Sequence, residues 1–407
     1  VGHKNKIATA GRTIMRKLAA NIYEVGAVDW NRRLFDELIP LPDGTSYNAY
    51  LIKGSQKTAL LDTVDPTKAD VLLNNLAELQ LDRIDYVVSH HAEQDHSGAI
   101  PQVLARYPQA MVLANPRCKQ MLIDLLCLRP DRLIEVADGQ QLPLGGKTLQ
   151  FVYIPWVHWP ETMGTYLPED KILFTCDLFG SHLAASSLFV DDEPLVYEAA
   201  KRYYAEIMMP FRAAIKANLE KIKHLDISTL APSHGPVYQR PQFILDAYKD
   251  WTSDEVKNEV VVAYVSMHGS TRRMVEHLVR QLAERSIKVR QLDLARTDIG
   301  KLAAALVDAA TLVLAAPTVL TGPHPAAAYA ATLTAALRPK TRFVAVIGSY
   351  GWGGKMTEQL NISLATLRAE ILEPVLIKGF PRHDDLQQLT CLAENILAKH
   401  KQAGIVT

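Results

Sequence analysis

Between Asp85 and Gly98 the chain reads Asp-Tyr-Val-Val-Ser-His-His-Ala-Glu-Gln-Asp-His-Ser-Gly. A strand-like apolar run, Tyr86 to Val88, ends there, and four potential metal ligands follow: His91, Glu93, Asp95 and His96. In extended chain, residues two apart project to the same side, so His91 and Glu93 can serve one metal. Asp95 and His96, where the chain begins to turn towards Ser97 and Gly98, can serve another. One such residue alone reads as a solvated side chain or a helix cap. Two imidazoles and two carboxylates this dense, directly after a buried strand, form a chelate pattern. The motif has no thiolate, which leaves iron, manganese or zinc, and each added carboxylate moves the choice from zinc towards iron. His90 points opposite to His91 if the extended geometry persists and is left out of the ligand set.

A second constellation follows the apolar strand Val260 to Val265: Ser266-Met267-His268-Gly269-Ser270-Thr271, then a helix from Arg272. Hydroxyls and a glycine at a strand-to-helix turn gather O–H and N–H donors around one phosphate at a helix N-terminus. The spacing is neither G-x-G-x-x-G nor G-x-x-x-x-G-K-S/T, so a dinucleotide or ATPase loop is not expected. Two further loops point to the same crevice. One holds Pro317 and Thr318, with Gly322 and Pro323 nearby; the other reads Gly348-Ser349-Tyr350-Gly351-Trp352-Gly353-Gly354. Glycines there let the backbone approach a flat ring, on which Tyr350 or Trp352 could stack.

The elements that must hold these loops can be read from periodicity. The C-terminal part alternates strand-like runs (Glu259 to Val265, Ile287 to Leu292, Thr311 to Ala316, Phe343 to Gly348, Leu372 to Lys378) with helical patterns, such as Met274, Leu278 and Leu282 at i, i+4, i+8. That is the pattern of an open, doubly wound parallel sheet, whose ligands sit at the carboxyl ends of the strands. The N-terminal part has strands near Asn48 to Ile52, Thr58 to Leu61, Tyr86 to Ser89, Met111 to Ala114 and Leu149 to Ile154. Asp65-Pro66 opens a helix there as N-cap and first-turn proline. An α/β or α+β sandwich is expected. The polar run Asp250 to Asn258 separates the two parts, giving domains 1–252 and 256–407.

The motif His91-x-Glu93-x-Asp95-His96 resembles the first ligand cluster of the flavodiiron proteins, which sit on the metallo-β-lactamase fold. Hydrolases of that fold carry His where Glu93 stands, and bind zinc. The resemblance implies further ligands downstream: His158 in Val157-His158-Trp159-Pro160-Glu161-Thr162, Asp177 in Thr175-Cys176-Asp177, and His234 in Ser233-His234-Gly235. One iron would take His91, Glu93 and His158 and the other Asp95, His96 and His234, with Asp177 bridging. The second constellation resembles flavodoxin, implying FMN held by Ser266 to Thr271, Pro317, Thr318, Gly322 and Ser349 to Gly354. The resemblance covers the chain from about Ile22 onward.

It implies a metallo-β-lactamase-like αββα sandwich followed by a flavodoxin-like domain. The activity implied is reduction of dioxygen to water or nitric oxide to nitrous oxide at a non-haem diiron site. FMN would feed that site from a separate donor, rubredoxin-like or other, in a head-to-tail homodimer or a dimer of dimers. The rival reading is a metal-dependent hydrolase with an accessory flavodoxin domain; a third is an electron carrier with a structural metal domain. His182 is expected to support the ligands or the scaffold rather than bind metal, and Cys176 to be buried and inert.

Composition narrows the partners. Lys plus Arg and Asp plus Glu both total 44, giving no electrostatic reason to expect nucleic acid or an anionic membrane. No run approaches the roughly 20 apolar residues of a membrane span. The first residues are basic (Lys4, Lys6, Arg12, Arg16, Lys17) without an apolar h-region, which suggests a solvated arm rather than a secretory signal. Cys118, Cys127, Cys176 and Cys391 form no C-x-x-C pair, and a cytoplasmic location is expected.

Overall fold

A computed structural model describes residues 16–406; Lys4, Lys6 and Arg12 of the expected arm lie outside the described residues. Packing divides the chain into two compact units that interleave along the sequence. The first runs up to Asn31 and includes Asp43–Asp192 and Lys223–Pro241; the second includes Arg32–Pro42, Glu193–Ile222 and the described residues from Gln242 onward.

The first unit is built on two sheets. The larger has seven strands in the order Arg16–Ala19, Ile22–Glu24, Tyr50–Lys53, Thr58–Leu61, Tyr86–Val88, Met111–Ala114, Leu133–Glu135. It is antiparallel as far as Thr58–Leu61 and parallel beyond. The smaller has five, Gln141–Pro143, Thr148–Tyr153, Met163–Leu167, Ile172–Cys176 and Thr229–Pro232, with only the last pair parallel. Alternate residues of the seven-stranded sheet go to opposite faces, as the period of two requires. Tyr50, Ile52, Ala59, Leu61, Val88 and Leu113 pack with Phe151, Met163, Ile172 and Phe174 of the other sheet. Their neighbours Leu51, Leu60, Val87 and Val112 pack with Leu72, Leu76, Val103 and Leu122 of the covering helices.

Local chemistry sets the helix starts. Asp65 caps a 3₁₀ turn, Pro66–Lys68, by accepting from Thr67 N, and the turn runs into the helix Ala69–Glu78. Asn115 likewise caps Pro116–Leu126 through Cys118 N, with proline in the first turn.

The second unit holds a parallel sheet ordered Lys288–Asp293, Lys257–Tyr264, Ala309–Val319, Phe343–Tyr350, with Glu370–Ile371 and Val375–Lys378 at the far edge. In chain order this is 2-1-3-4-5, the doubly wound arrangement with its switch point between the first and third strands. Helices Ser270–Glu284 and His383–Gln402 cover one face; Ile299–Leu306, Pro325–Leu337 and Met356–Leu364 cover the other.

Two details differ from the sequence expectation. The third strand continues to Val319 and folds back as a tight hairpin with Gly322–Pro323. The fifth is split around Glu373-Pro374, because proline has no N–H to give the ladder. Helix Pro241–Thr252 ends in the polar run read as a domain seam, yet its buried face packs into the second unit. There Trp251 stacks with Tyr197, Tyr204 and Tyr248 at centroid distances of 5.2–5.4 Å.

Candidate metal centre and flavin crevice

The ligand motif leaves the strand Tyr86–Val88 and is braced at each step. Ser89 Oγ donates to His91 O (2.9 Å), Ser97 Oγ to Ala92 O (2.7 Å), and both Thr63 N and Oγ1 to His96 O. Between these braces one helical turn, Gln94–Ser97, swings Asp95 and His96 away from the direction of His91 and Glu93. His158 comes from the loop after Thr148–Tyr153, Asp177 from the end of Ile172–Cys176, and His234 from the end of Thr229–Pro232. After His234 the chain turns sharply at Gly235, φ +78°, where a Cβ would collide with Ser181.

These side chains form two groups whose donor atoms lie within 4.8 Å of one another: His91, Glu93, His158 and Asp177, and Asp95, His96 and His234. Glu93 Oε2 is 3.1 Å from His91 Nε2 and 3.0 Å from His158 Nε2. Asp95 Oδ2 is 3.2 Å from His234 Nε2. Asp177 faces both groups. Its Oδ2 lies 3.6 and 3.5 Å from Nε2 of His91 and His158, and its Oδ1 lies 3.0 and 3.5 Å from Nε2 of His96 and His234.

The other ring nitrogens fix these orientations. His91 Nδ1 donates to Glu161 Oε1 (2.8 Å) and His234 Nδ1 to Ser46 O (2.7 Å), which leaves each Nε2 turned towards the space shared with Asp177.

The electrostatics follow from imidazoles and carboxylates crowded into one buried space. Burial would lower the pKa of His96, but the charges of Asp95 and Asp177 outweigh it and raise the value to about 10. His91 is raised in the same way, against burial, by hydrogen bonds to Glu161 and Glu93. Burial would raise Glu93 and Asp177; the imidazoles beside them hold both well below the carboxylate range. Both oxygens of Asp95, both of Asp177 and Nε2 of His96 are buried, and none makes an aligned hydrogen bond. The 3.0 Å approach of His96 Nε2 to Asp177 Oδ1 is therefore a close contact and not an aligned hydrogen bond. Buried polar atoms are rarely left so. Four imidazoles and three carboxylates aimed at two adjacent points fit two redox-active cations such as iron.

His90 and His182, left out of the ligand set, are buried and hydrogen-bonded, and Cys176 is buried beside Asp177. His90 is buried between Asp62 (Nδ1 to Oδ2, 2.6 Å) and Thr165 (2.6 Å). His182 Nδ1 meets Thr45 Oγ1 at 2.9 Å, and its ring lies edge-on to His234, 4.9 Å away. Cys176 is buried, and burial followed by the charge of Asp177 pushes its thiol up, away from reactivity.

The flavin loops enclose a cleft of about 500 Å³, counting its open mouth. It is lined by Met267, His268, Ser270 and Thr271 after the first strand, Pro317 and Thr318 on the third, Ser349, Tyr350 and Gly351 on the fourth, and Gly379 after the fifth. Thr271 Oγ1 and Ser349 Oγ meet across it at 3.2 Å. Other expected residues stand behind the lining. Ser266 Oγ accepts from Arg272 N, Gly269 turns the chain into the helix at φ +90°, and Gly354 packs against Thr318 and Thr321. Gly322 forms the hairpin, Gly353 has φ +90°, and Trp352 is largely exposed. Sequence reading missed Gly379, for which a glycine directly after the fifth strand was the available signal. It also missed Glu161 and Ser46, whose partners lie 70 and 188 positions away.

Comparison with known proteins decides the family. Residues 45–235 match the ODP family beta lactamase and residues 262–390 match flavodoxin. The nitric oxide reductase of Moorella thermoacetica is 35% identical over 93% of this chain and 97% of its own length. The chain belongs to the flavodiiron protein family. Solved structures agree with this membership. The rubredoxin oxygen:oxidoreductase of Desulfovibrio gigas matches with a TM-score of 0.91 at 28% identity, covering 95% of this chain and 99% of that one. The flavodiiron protein of Giardia intestinalis matches at 0.88 and 26%, covering 96% and 98%.

This flavodiiron protein is thus an oxidoreductase whose cofactors are FMN and a non-haem diiron centre. The hydrolase and electron-carrier readings fall away, because its relatives are named as reductases and oxidases. Among the described residues no helix is long and apolar enough to cross a membrane.

Proposed function

We propose that this flavodiiron protein reduces dioxygen to water, nitric oxide to nitrous oxide, or both, at two irons held by His91, Glu93, His158, Asp95, His96 and His234 and bridged by Asp177. One observation carries the ligand assignment: the two oxygens of Asp177 face different groups, each within 3.6 Å of two Nε2 atoms. The irons would supply substrate-binding positions and two electrons, and FMN two more, which meets the four-electron demand of dioxygen and the two-electron demand of coupling two nitric oxides.

The chain's own groups set up that chemistry. Glu93, Asp95 and Asp177 provide the negative charge that two cations require. Glu161 and Ser46 O hold two imidazoles in the tautomer that presents Nε2. His158 and Glu93 keep side-chain exposures of 14% and 12% whereas His96 and His234 are at 1%, so small substrates and protons arrive on the His158 side.

The lining of the cleft, Met267 to Thr271, Pro317, Thr318, Ser349 to Gly351 and Gly379, would hold the flavin, with its phosphate at the start of Ser270–Glu284. The electron donor is a separate protein or reduced cofactor. Relatives are named rubredoxin-oxygen oxidoreductase and coenzyme F420H(2) oxidase, so either class of donor suits the family. Four free cysteines, two of them buried, suit a reducing cytoplasm.

We further propose a head-to-tail homodimer, or a dimer of dimers, in which FMN of one chain serves the irons of the other. A two-fold pairing closes on itself and needs no extra device. Co-expression of a metal-site variant (His91→Ala with Glu93→Ala) and a flavin-site variant (Ser270→Glu) tests it. Heterodimers should recover part of the activity; heterodimers that form and stay inactive would refute cross-chain transfer.

A further inference from the structure

Glu161 belongs to no ligand group, yet it is fully buried beside one. Its Oε1 accepts from His91 Nδ1 at 2.8 Å and from Ala92 N at 3.0 Å, and its side chain is 0% exposed. Its Oε2 is buried and accepts no hydrogen bond. The carboxylate's charge is therefore shared with two donors only, one of them the imidazole of a proposed ligand. Its backbone is fixed as well, because Asn115 Nδ2 donates to Glu161 O while Asn115 Oδ1 caps the following helix through Cys118 N.

Among the described residues the second group has no such carboxylate behind its imidazoles. His234 Nδ1 donates to a neutral carbonyl, Ser46 O, and His96 Nδ1 is buried without a hydrogen-bond partner. A carboxylate behind an imidazole makes it a stronger electron donor to its metal than a carbonyl does. Proximity adds to this, since a full negative charge next to the His91 ring favours the higher charge on the metal that ring holds.

On the ligand assignment above, we infer that Glu161 is a positioning residue that makes the two irons inequivalent. In the half-reduced centre it places the ferric ion at the His91–Glu93–His158 position and the ferrous ion at the Asp95–His96–His234 position.

The test separates charge from shape. Glu161→Gln keeps an oxygen for His91 Nδ1 and Ala92 N and loses only the charge; Glu161→Asp keeps the charge and loses reach. Holoprotein carrying E161Q should bind one of its two irons roughly ten- to a hundredfold more weakly in a chelator competition. The reduction potential of its diiron centre should rise, and the EPR spectrum of the half-reduced state should change, with FMN content at the wild-type level. E161D should move the potential less than E161Q does. Equal shifts in the two variants would mean a brace for the Ala92 turn and nothing more, and overturn the inference. So would wild-type potential and iron affinity in E161Q. His91→Ala marks the difference from failure of the ligand assignment. If that variant keeps both irons, the assignment itself is wrong; if it loses iron while E161Q behaves as wild type, only the role of Glu161 fails.

Discussion

Replacing Asp177 by Asn removes one charge and almost no volume from the point where the two ligand groups meet. Its oxygens lie 3.0–3.6 Å from four Nε2 atoms, so the same carboxylate serves both proposed metals. Unit charges at that separation attract by about 5 kcal/mol at an effective dielectric of about 20. Burying the carboxylate offsets a good part of this, leaving roughly 2–3 kcal/mol of net loss for each metal. At about 1.4 kcal/mol per decade, each iron should bind on the order of a hundredfold more weakly. The expected result is a protein that purifies with its FMN and little iron, since the flavin-lining residues come from a different compact unit. Metal analysis beside the visible flavin spectrum reads both at once. Two irons retained in Asp177→Asn would refute the bridging role, and loss of iron and FMN together would point to misfolding instead.

Iron-free protein should show a pH dependence that the iron-loaded form lacks. The folded value of His96 is about 10 against an ordinary 6.5, so its stabilising contribution is complete below about pH 6.5 and disappears as pH rises through 10. Asp177 is depressed from 3.8, so its contribution is complete above about pH 4 and is lost only in stronger acid. Melting of the apoprotein should therefore peak between about pH 4 and 6.5 and decline towards pH 10, and a flat alkaline limb would contradict the assignment. Lys201→Met orphans one side of buried Asp308, but Lys257 remains 3.2 Å away. The cost should be about 2 kcal/mol rather than the roughly 3–5 kcal/mol of a fully stranded charge, read as an earlier melt with FMN still bound. A fragment of residues 256–407 keeps every residue lining the cleft and should bind FMN, yet melt below the full chain for want of Lys201 and Trp251. Failure to bind added FMN would show that the cleft has been misread.

Much of this was legible in the chain itself, for identifiable reasons. The ligand motif is local: a strand end, a loop and one turn put His91, Glu93, Asp95 and His96 within a few residues, so spacing alone suggested two metals. The parallel sheet announced itself through apolar strands alternating with amphipathic helices. His158, Asp177 and His234 needed the family resemblance, because each follows a different strand and nothing in its own surroundings names its partners. Glu161 and Ser46 were invisible for a stronger reason. A hydrogen bond across 70 or 188 residues leaves no periodicity. The membership of Glu193–Ile222 in the second unit was hidden likewise, since amphipathicity says that a helix has a buried face and not which element buries it.

That membership has a consequence for how the protein is made. Helix Glu193–Tyr203 buries Val196, Ala200, Lys201 and Tyr203, and the carboxylate that meets Lys201 lies 107 residues further along the chain. At roughly 5–20 residues per second, a ribosome reaches Asp308 about 5–20 s after it has delivered Lys201. Through that interval most of helix Ile299–Leu306, against which Glu193–Tyr203 packs, is still unmade, and Lys201 lacks the carboxylate it meets in the folded chain. The nascent chain, more than the finished enzyme, is therefore where this segment is open to aggregation and where a chaperone has most to hold.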